Sequence, residues 1–192
     1  RIVMPSMYTG LATVNGEVTT QMIDYYETRA RGGAGLIIVE VACVDPPVGR
    51  QGFNDLCIDQ PKYIAGLNEL VEAIHTYQAR AFIQLFHSGR QTSPVITQGE
   101  TPVAPSPIPC RIIKSQPREL SEEEIKGLIR KYVNAAIHAR VAGFDGVEIH
   151  AAHGYLLSEF LSPYTNRRTD AYGGSLDNRL RLLLEIIDGI RD

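Results

Sequence analysis

Leu36-Ile37-Ile38-Val39-Glu40-Val41 is a run of aliphatic, largely β-branched residues with one polar interruption. A strand wetted on one face alternates apolar and polar residues. A strand covered on both faces reads as a nearly continuous apolar run, which is the habit of a parallel sheet flanked by helices. The sequence on either side supports that reading. Upstream, a short strand is expected over residues 1–4. Thr19 then caps a helix through Tyr25, Tyr26 and Ala30, and Gly32-Gly33-Ala34-Gly35 ends it. Downstream, Ile64, Leu67, Val71 and Ile74 recur at helical spacing and place a second helix over 61–78. A third strand is expected over 81–85. Ser121-Glu122-Glu123-Glu124 has the form of a capping box and opens a helix that runs to about residue 142, before Gly143. A fourth strand covers 145–149, and a last helix begins near Leu176.

Strands that alternate with helices imply a parallel sheet. No Gly-x-Gly-x-x-Gly follows the first strand, which speaks against a dinucleotide-binding sheet. Polar residues instead gather after all four strands, where a TIM (β/α)8 barrel builds its site. The expected fold is therefore the first four β/α units of such a barrel, a half barrel formed by residues 1–192. A whole barrel takes ~250 residues, so a piece of a longer chain is expected. The proline-rich stretch 86–120, with Pro94, Pro102, Pro105, Pro107, Pro109 and Pro117, reads as an excursion over the barrel top carrying a small hairpin.

Composition removes several function classes. The net charge of −3 gives no footprint for a nucleic-acid backbone. No stretch approaches the ~20 unbroken apolar residues of a membrane span, since Glu40 interrupts the longest apolar run. No signal peptide is visible. Cys43, Cys57 and Cys110 are odd in number and contain no Cys-x-x-Cys pair, so neither disulfides nor a thiolate cluster is expected, and a reducing cytoplasm fits best.

The densest chemistry lies in His150-Ala151-Ala152-His153-Gly154-Tyr155, just after the fourth strand. Three readings stand. The histidines could hold zinc, but the loop lacks the His-Glu-x-x-His helix and an obvious third ligand, so no metal is expected. They could be structural. Or they are two N–H donors that hold a carbonyl or carboxylate oxygen beside a phenol. A tyrosine hydroxyl, with a pKa of about 10, suits the delivery of a proton to carbon where an enolate forms. Two histidine N–H groups would stabilise that enolate as charge develops.

Read from Gly143 to Leu157, this segment resembles the fourth-strand signature of the Old Yellow Enzyme family. So do Phe160-Leu161-Ser162-Pro163, Asn166-Arg167-Arg168-Thr169-Asp170, Tyr172-Gly173-Gly174-Ser175 and Asn178-Arg179, together with residues 1–7, 35–40 and 84–90. The resemblance implies FMN at the barrel mouth. Pro5, Ser6 and Met7 would contact it, and Gln84 would bind its pyrimidine edge. Tyr8 stands where relatives carry a Thr or Cys that tunes the flavin, and Val41 where they carry Ala or Gly near the ring. His150 and His153 would hold the substrate oxygen, with His150 also touching the flavin, and Tyr155 would donate the proton. Arg167, Arg168 and Arg179 are expected to be structural anchors, His87 a supporting residue, and Gly173-Gly174 a turn with positive φ. No role is expected for His75 and His138. The implied reaction is reduction of an activated C=C bond in an enone, enoate or enoyl-CoA, with NADH or NADPH as reductant, as in 2,4-dienoyl-CoA and 2-enoate reductases. Larger relatives add an iron–sulfur cluster and a second flavin domain downstream of the segment matched here. A homo-oligomer would fit. The rival readings are a metal-dependent TIM-barrel lyase or hydrolase, and a non-catalytic half-barrel fragment that pairs with itself.

Overall fold

A computed structural model describes residues 2–192. Arg1, where the first strand is expected to start, lies outside the described residues. The chain divides into two compact units. One runs up to Val44 and adds Gly52–Phe86 and Asn134–Ile149. The other comprises Asp45–Gln51, His87–Val133 and His150–Asp192.

The first unit is built on a parallel sheet of β1 (Val3–Met4), β2 (Leu36–Cys43), β4 (Arg80–Phe86) and β7 (Gly146–Ile149), in that spatial order. A two-residue strand, β3 (Leu56–Cys57), also pairs in parallel with β2. The apolar run of β2 is buried from Ile37 to Cys43, as a strand covered on both faces requires. Strand order equals chain order, every pairing is parallel, and helices separate the strands. This is the arrangement of the first four β/α units of a (β/α)8 barrel.

Local rules explain the helices. Helix α1 (Thr20–Arg31) starts where Thr19 Oγ1 accepts the Met22 N–H at 3.2 Å. Arg29 and Arg31 sit in its last turn, where cations complement the helix dipole. Met22, Tyr26 and Ala30 are its buried face. Helix α2 (Ile64–His75) buries Leu67, Leu70, Val71 and Ile74. It is shorter than the expected 61–78. Residues 61–63 form a 3-10 turn, and Gln78 has φ +59°, a left-handed conformation that no α-helix continues. Asp145 precedes β7 and pins the lower end of the unit: Oδ2 accepts the Ala81 N–H at 2.9 Å and meets His75 Nε2 at 2.8 Å. His138 Nδ1 meets the Ile58 carbonyl oxygen at 2.7 Å. Both helix histidines are thus structural.

In the second unit β5 (Val103–Ala104) pairs with β6 (Arg118–Glu119) in parallel. The expected hairpin is therefore corrected. The intervening proline-rich chain carries the backbone back to the end from which it started, which a hairpin loop does not do. Helix α3 (Glu122–Val141), which belongs to this unit as far as Val133, opens with the expected capping box: Glu124 N–H donates to Ser121 Oγ at 3.2 Å, and Ser121 N–H donates to Glu124 Oε2 at 2.8 Å. A short helix, α4 (Leu156–Leu161), precedes α5 (Leu176–Arg191), whose Ser175 cap accepts the Asn178 N–H at 3.2 Å.

Arg168 is the polar hub of this unit. It is buried, donates to the Pro105 and Leu120 carbonyl oxygens at 3.2 and 2.5 Å, and pairs with Asp170. Arg179 Nε donates to the Leu161 carbonyl oxygen at 2.8 Å. Arg167 differs: its backbone N–H reaches Ser106 Oγ at 2.9 Å, while its side chain is exposed. Cys43, Cys57 and Cys110 are buried. Among the described residues no helix is long and apolar enough to cross a membrane.

Candidate active site

Chemistry-bearing residues collect in each unit at the C-terminal ends of strands or in the loops that leave them. In the first unit, Ser6 Oγ follows β1 and donates to Gln84 Oε1 at 3.1 Å. Gln84 Nε2 donates in turn to Glu148 Oε1 at 2.6 Å. Gln84 and Glu148 are register partners on β4 and β7. A side-chain amide carries two N–H donors and two lone pairs. These contacts use one of each and fix the amide orientation. One N–H and one lone pair of Gln84 have no partner among the described residues. That spare pair matches the pyrimidine edge of a flavin, where an imide N–H lies beside carbonyl oxygens. Pro5, Met7 and Tyr8 are exposed, and Ser6 is half-buried, so all can meet a ligand. The donor set fits FMN.

Val41 is buried and lies in register with Gln84. It reaches that register through a one-residue shift between Val39 and Val41, which makes Glu40 a bulge. The Glu40 carboxylate is wholly buried. It accepts the Thr9 N–H at 3.1 Å, the Thr9 hydroxyl, and the Tyr26 hydroxyl at 3.3 Å. Burial raises its pKa against these hydrogen bonds. Tyr8 turns its hydroxyl toward Asp55 and Gly52. Burial, then the negative charges of Asp55 and Glu40, push that phenol up to about 12. Tyr8 is therefore a neutral hydrogen-bonding group at physiological pH.

In the second unit, His150, His153 and Tyr155 come together. The His150 ring meets His153 edge-on at 5.1 Å between centroids, and Tyr155 edge-on at 5.0 Å. His150 is buried, while His153 is exposed. Burial, then the neighbouring His153, lower the His150 pKa, so the ring is neutral at pH 7. His150 Nδ1 accepts the Ala152 N–H at 3.3 Å. A neutral ring carries one proton, so this contact places it on Nε2. That nitrogen lies 3.4 Å from His153 Nδ1. The single N–H of His150 thus points at His153 Nδ1 and reaches a ligand oxygen by leaving that contact.

The loop backbone holds this arrangement. His153 has φ +57° and Gly154 φ +77°, two successive left-handed residues. For a non-glycine residue such a conformation costs about 1–3 kcal/mol and clusters at functional sites. Gln91 Nε2 secures it by donating to the His153 carbonyl oxygen at 2.8 Å. Tyr155 Oη donates to Gln51 Oε1 at 2.7 Å. His87 is buried; its Nδ1 accepts the Gly89 N–H at 3.0 Å, and its carbonyl oxygen accepts the Leu156 N–H at 3.2 Å. It is a supporting residue, as expected.

Glu148, Gln51 and Gln91 are site residues that the sequence did not announce. Glu148 is a single acid inside an apolar strand, and only the register shows that it meets Gln84. Gln51 and Gln91 are lone amides that the fold brings to the His-His-Tyr segment across 104 and 62 residues.

The sequence matches the profile of the NADH:flavin oxidoreductase / NADH oxidase family over residues 1–192. It is 54% identical over 192 residues to an NADH oxidase of Thermoanaerobacter brockii, covering 100% of this chain and 30% of that protein. The fold is similar to that of morphinone reductase, with TM-score 0.91 and 35% identity over 99% of this chain and 54% of that one. It is also similar to 2-naphthoyl-CoA reductase in complex with 2-naphthoyl-CoA, with TM-score 0.95 and 31% identity over 100% of this chain and 31% of that one. The chain thus spans roughly a third to a half of these three proteins.

Proposed function

Because this chain belongs to the NADH:flavin oxidoreductase / NADH oxidase family, we propose that residues 1–192 form the N-terminal part of the FMN-binding barrel of an ene-reductase. The substrate class is an α,β-unsaturated carbonyl compound: an enone, an enoate or an enoyl-CoA thioester. Bound FMN, reduced by NADH or NADPH, supplies the hydride to the β-carbon.

The residues of this chain have separate tasks. Gln84, oriented by Ser6 and Glu148, offers its spare N–H and lone pair to the flavin pyrimidine edge. Pro5, Ser6, Met7, Tyr8 and Val41 line the cofactor, and His150 touches it. His150 and His153 hold the carbonyl oxygen. Their N–H groups stabilise an enolate as it gains negative charge. Tyr155 delivers its phenolic proton to the α-carbon.

The observation that carries this reading is the cluster itself: His150 lies between His153 and Tyr155, with ring centroids 5.1 and 5.0 Å away. The test is Tyr155→Phe in the FMN-loaded full-length protein, with each half-reaction followed by stopped-flow absorbance. Alkene reduction is expected to slow by about 10²–10⁴-fold, and flavin reduction by the nicotinamide to stay near the parent rate. Equal slowing of both, or of neither, removes Tyr155 from the role.

A further inference from the structure

Tyr155 has a partner placed by a different part of the chain. Its hydroxyl donates to Gln51 Oε1 at 2.7 Å, and both side chains are half-buried. Gln51 ends the segment that follows β2, and the backbone there is tightly turned. Gly49 N–H donates to the Asp45 carbonyl oxygen at 2.7 Å, and Arg50 N–H to the Pro47 carbonyl oxygen at 3.2 Å. The Gly49 carbonyl oxygen accepts the Ser88 N–H at 2.9 Å. The amide of Gln51 therefore hangs from a fixed point. On its other side the Tyr155 ring meets the edge of His150 at 5.0 Å.

We propose that Gln51 is a positioning residue for the Tyr155 phenol, holding its hydroxyl before proton delivery and serving the phenoxide that remains afterwards. The inference rests on the reading of Tyr155 as the proton donor. In the step, the Tyr155 O–H bond breaks and a C–H bond forms at the substrate α-carbon. The O–H bonding pair stays on the phenolic oxygen, and a proton from water restores the phenol. Before the step, the tyrosine oxygen is a donor and needs an acceptor, which is Gln51 Oε1. After it, the oxygen is an anion and needs a donor. An amide offers both on one short group, through its carbonyl oxygen and its two N–H. The terminal torsion of a glutamine is broad and roughly two-fold, so the exchange needs only a local rotation of the amide. A carboxylate at position 51 would accept from the phenol but repel the phenoxide. A leucine would do neither.

The test reads the phenol directly in the FMN-loaded full-length protein. Tyrosine is labelled with 13C at Cζ, and the Tyr155 signal is identified by its loss in Tyr155→Phe. Its titration is then compared in the parent, Gln51→Glu and Gln51→Leu, with the other tyrosine signals as the control for folding. The Tyr155 pKa is expected to rise by about 1 unit or more in Gln51→Glu, because like charges disfavour the phenoxide. A smaller rise is expected in Gln51→Leu. The alkene-reduction rate should fall in both variants, while flavin reduction by the nicotinamide stays at the parent rate. An unmoved Tyr155 titration in both variants, with Tyr155→Phe still impaired, overturns the role of Gln51 alone. An unimpaired Tyr155→Phe overturns the role of Gln51 together with that of Tyr155.

Discussion

Gln84 and Glu148 are joined side chain to side chain across neighbouring parallel strands, amide N–H to carboxylate, at 2.6 Å. This bond, with the Ser6 hydroxyl at 3.1 Å on the other side, decides which atoms of Gln84 remain for a ligand. Gln84→Leu is therefore expected to weaken FMN binding by about 1–3 kcal/mol, the range for a lost hydrogen-bond partner in a buried setting. Isothermal titration of the apo-protein with FMN measures it. Affinity equal to the parent's would place the pyrimidine edge elsewhere.

Replacing His150 and His153 together by alanine is expected to abolish binding of phenol-type and carboxylate ligands. Their N–H groups are the proposed oxygen donors. Ligand titration followed by flavin absorbance is the measurement. Tight binding that survives in the double variant would return both histidines to a structural role.

Acid sensitivity should have an identifiable source in Asp45. Burial acts to raise its carboxyl, but His87, whose Nε2 lies 3.7 Å from Asp45 Oδ2, and then the Lys131 ammonium outweigh burial and hold it at about 2. The ordinary aspartate value is about 3.9. A depressed carboxyl contributes stability that is present above the ordinary value and lost as pH falls through the folded one. The window is therefore roughly pH 4 down to 2. Lys131→Met is expected to shrink the acid-induced loss by about 1 kcal/mol or less, since the lysine is partly exposed. Urea unfolding at pH 7 and pH 3 tests it, and an unchanged difference between the two would reject the pairing as a stability determinant.

Glu159 presents the opposite sign. Its carboxyl is buried, accepts the Arg90 N–H at 3.0 Å, and is raised well above the ordinary range by burial. A raised carboxyl contributes stability below the ordinary value that is lost as pH rises through the folded one. Glu159→Gln, neutral at every pH, should flatten the decline of melting temperature from pH 5 to pH 8. A parallel decline in parent and variant would show that Glu159 is not its cause.

Gly89 lies directly beneath that carboxyl. It has φ +62°, and a Cβ there would stand 2.6 Å from both Glu159 carboxylate oxygens. Backbone strain and overlap with a buried group act together, so Gly89→Ala should cost about 2–4 kcal/mol. Thermal unfolding reads this as a clear drop in Tm; a variant as stable as the parent would mean that Glu159 can move aside freely.

The sequence made legible what is local. The apolar run of β2, the caps at Thr19 and Ser121, and the start of α5 at Leu176 each follow from a few adjacent residues. His150, His153 and Tyr155 lie within one short loop, and so were visible as a set. What escaped depends on chain closure or on length. β3 has two residues and α4 has six, too few for any periodicity to register. The parallel pairing of β5 and β6 depends on the path of a long loop. Gln51, Gln91 and Glu148 carry no motif, and only the fold and the register reveal their partners.

The bulge at Glu40 makes β2 two half-strands in opposite phase. Below it Val39 travels with Ile83, and above it Val41 travels with Gln84, although Ile83 and Gln84 are consecutive and face opposite ways. Pairing β2 without the bulge, with Glu40 retained, would set Val41 to Cys43 one residue out of step with β4 and turn their side chains to the opposite face, with the rest of the strand left in place. The strand thus behaves as a shaft with a coupling near its end, where its working tip can be turned without disturbing the bearing that holds it.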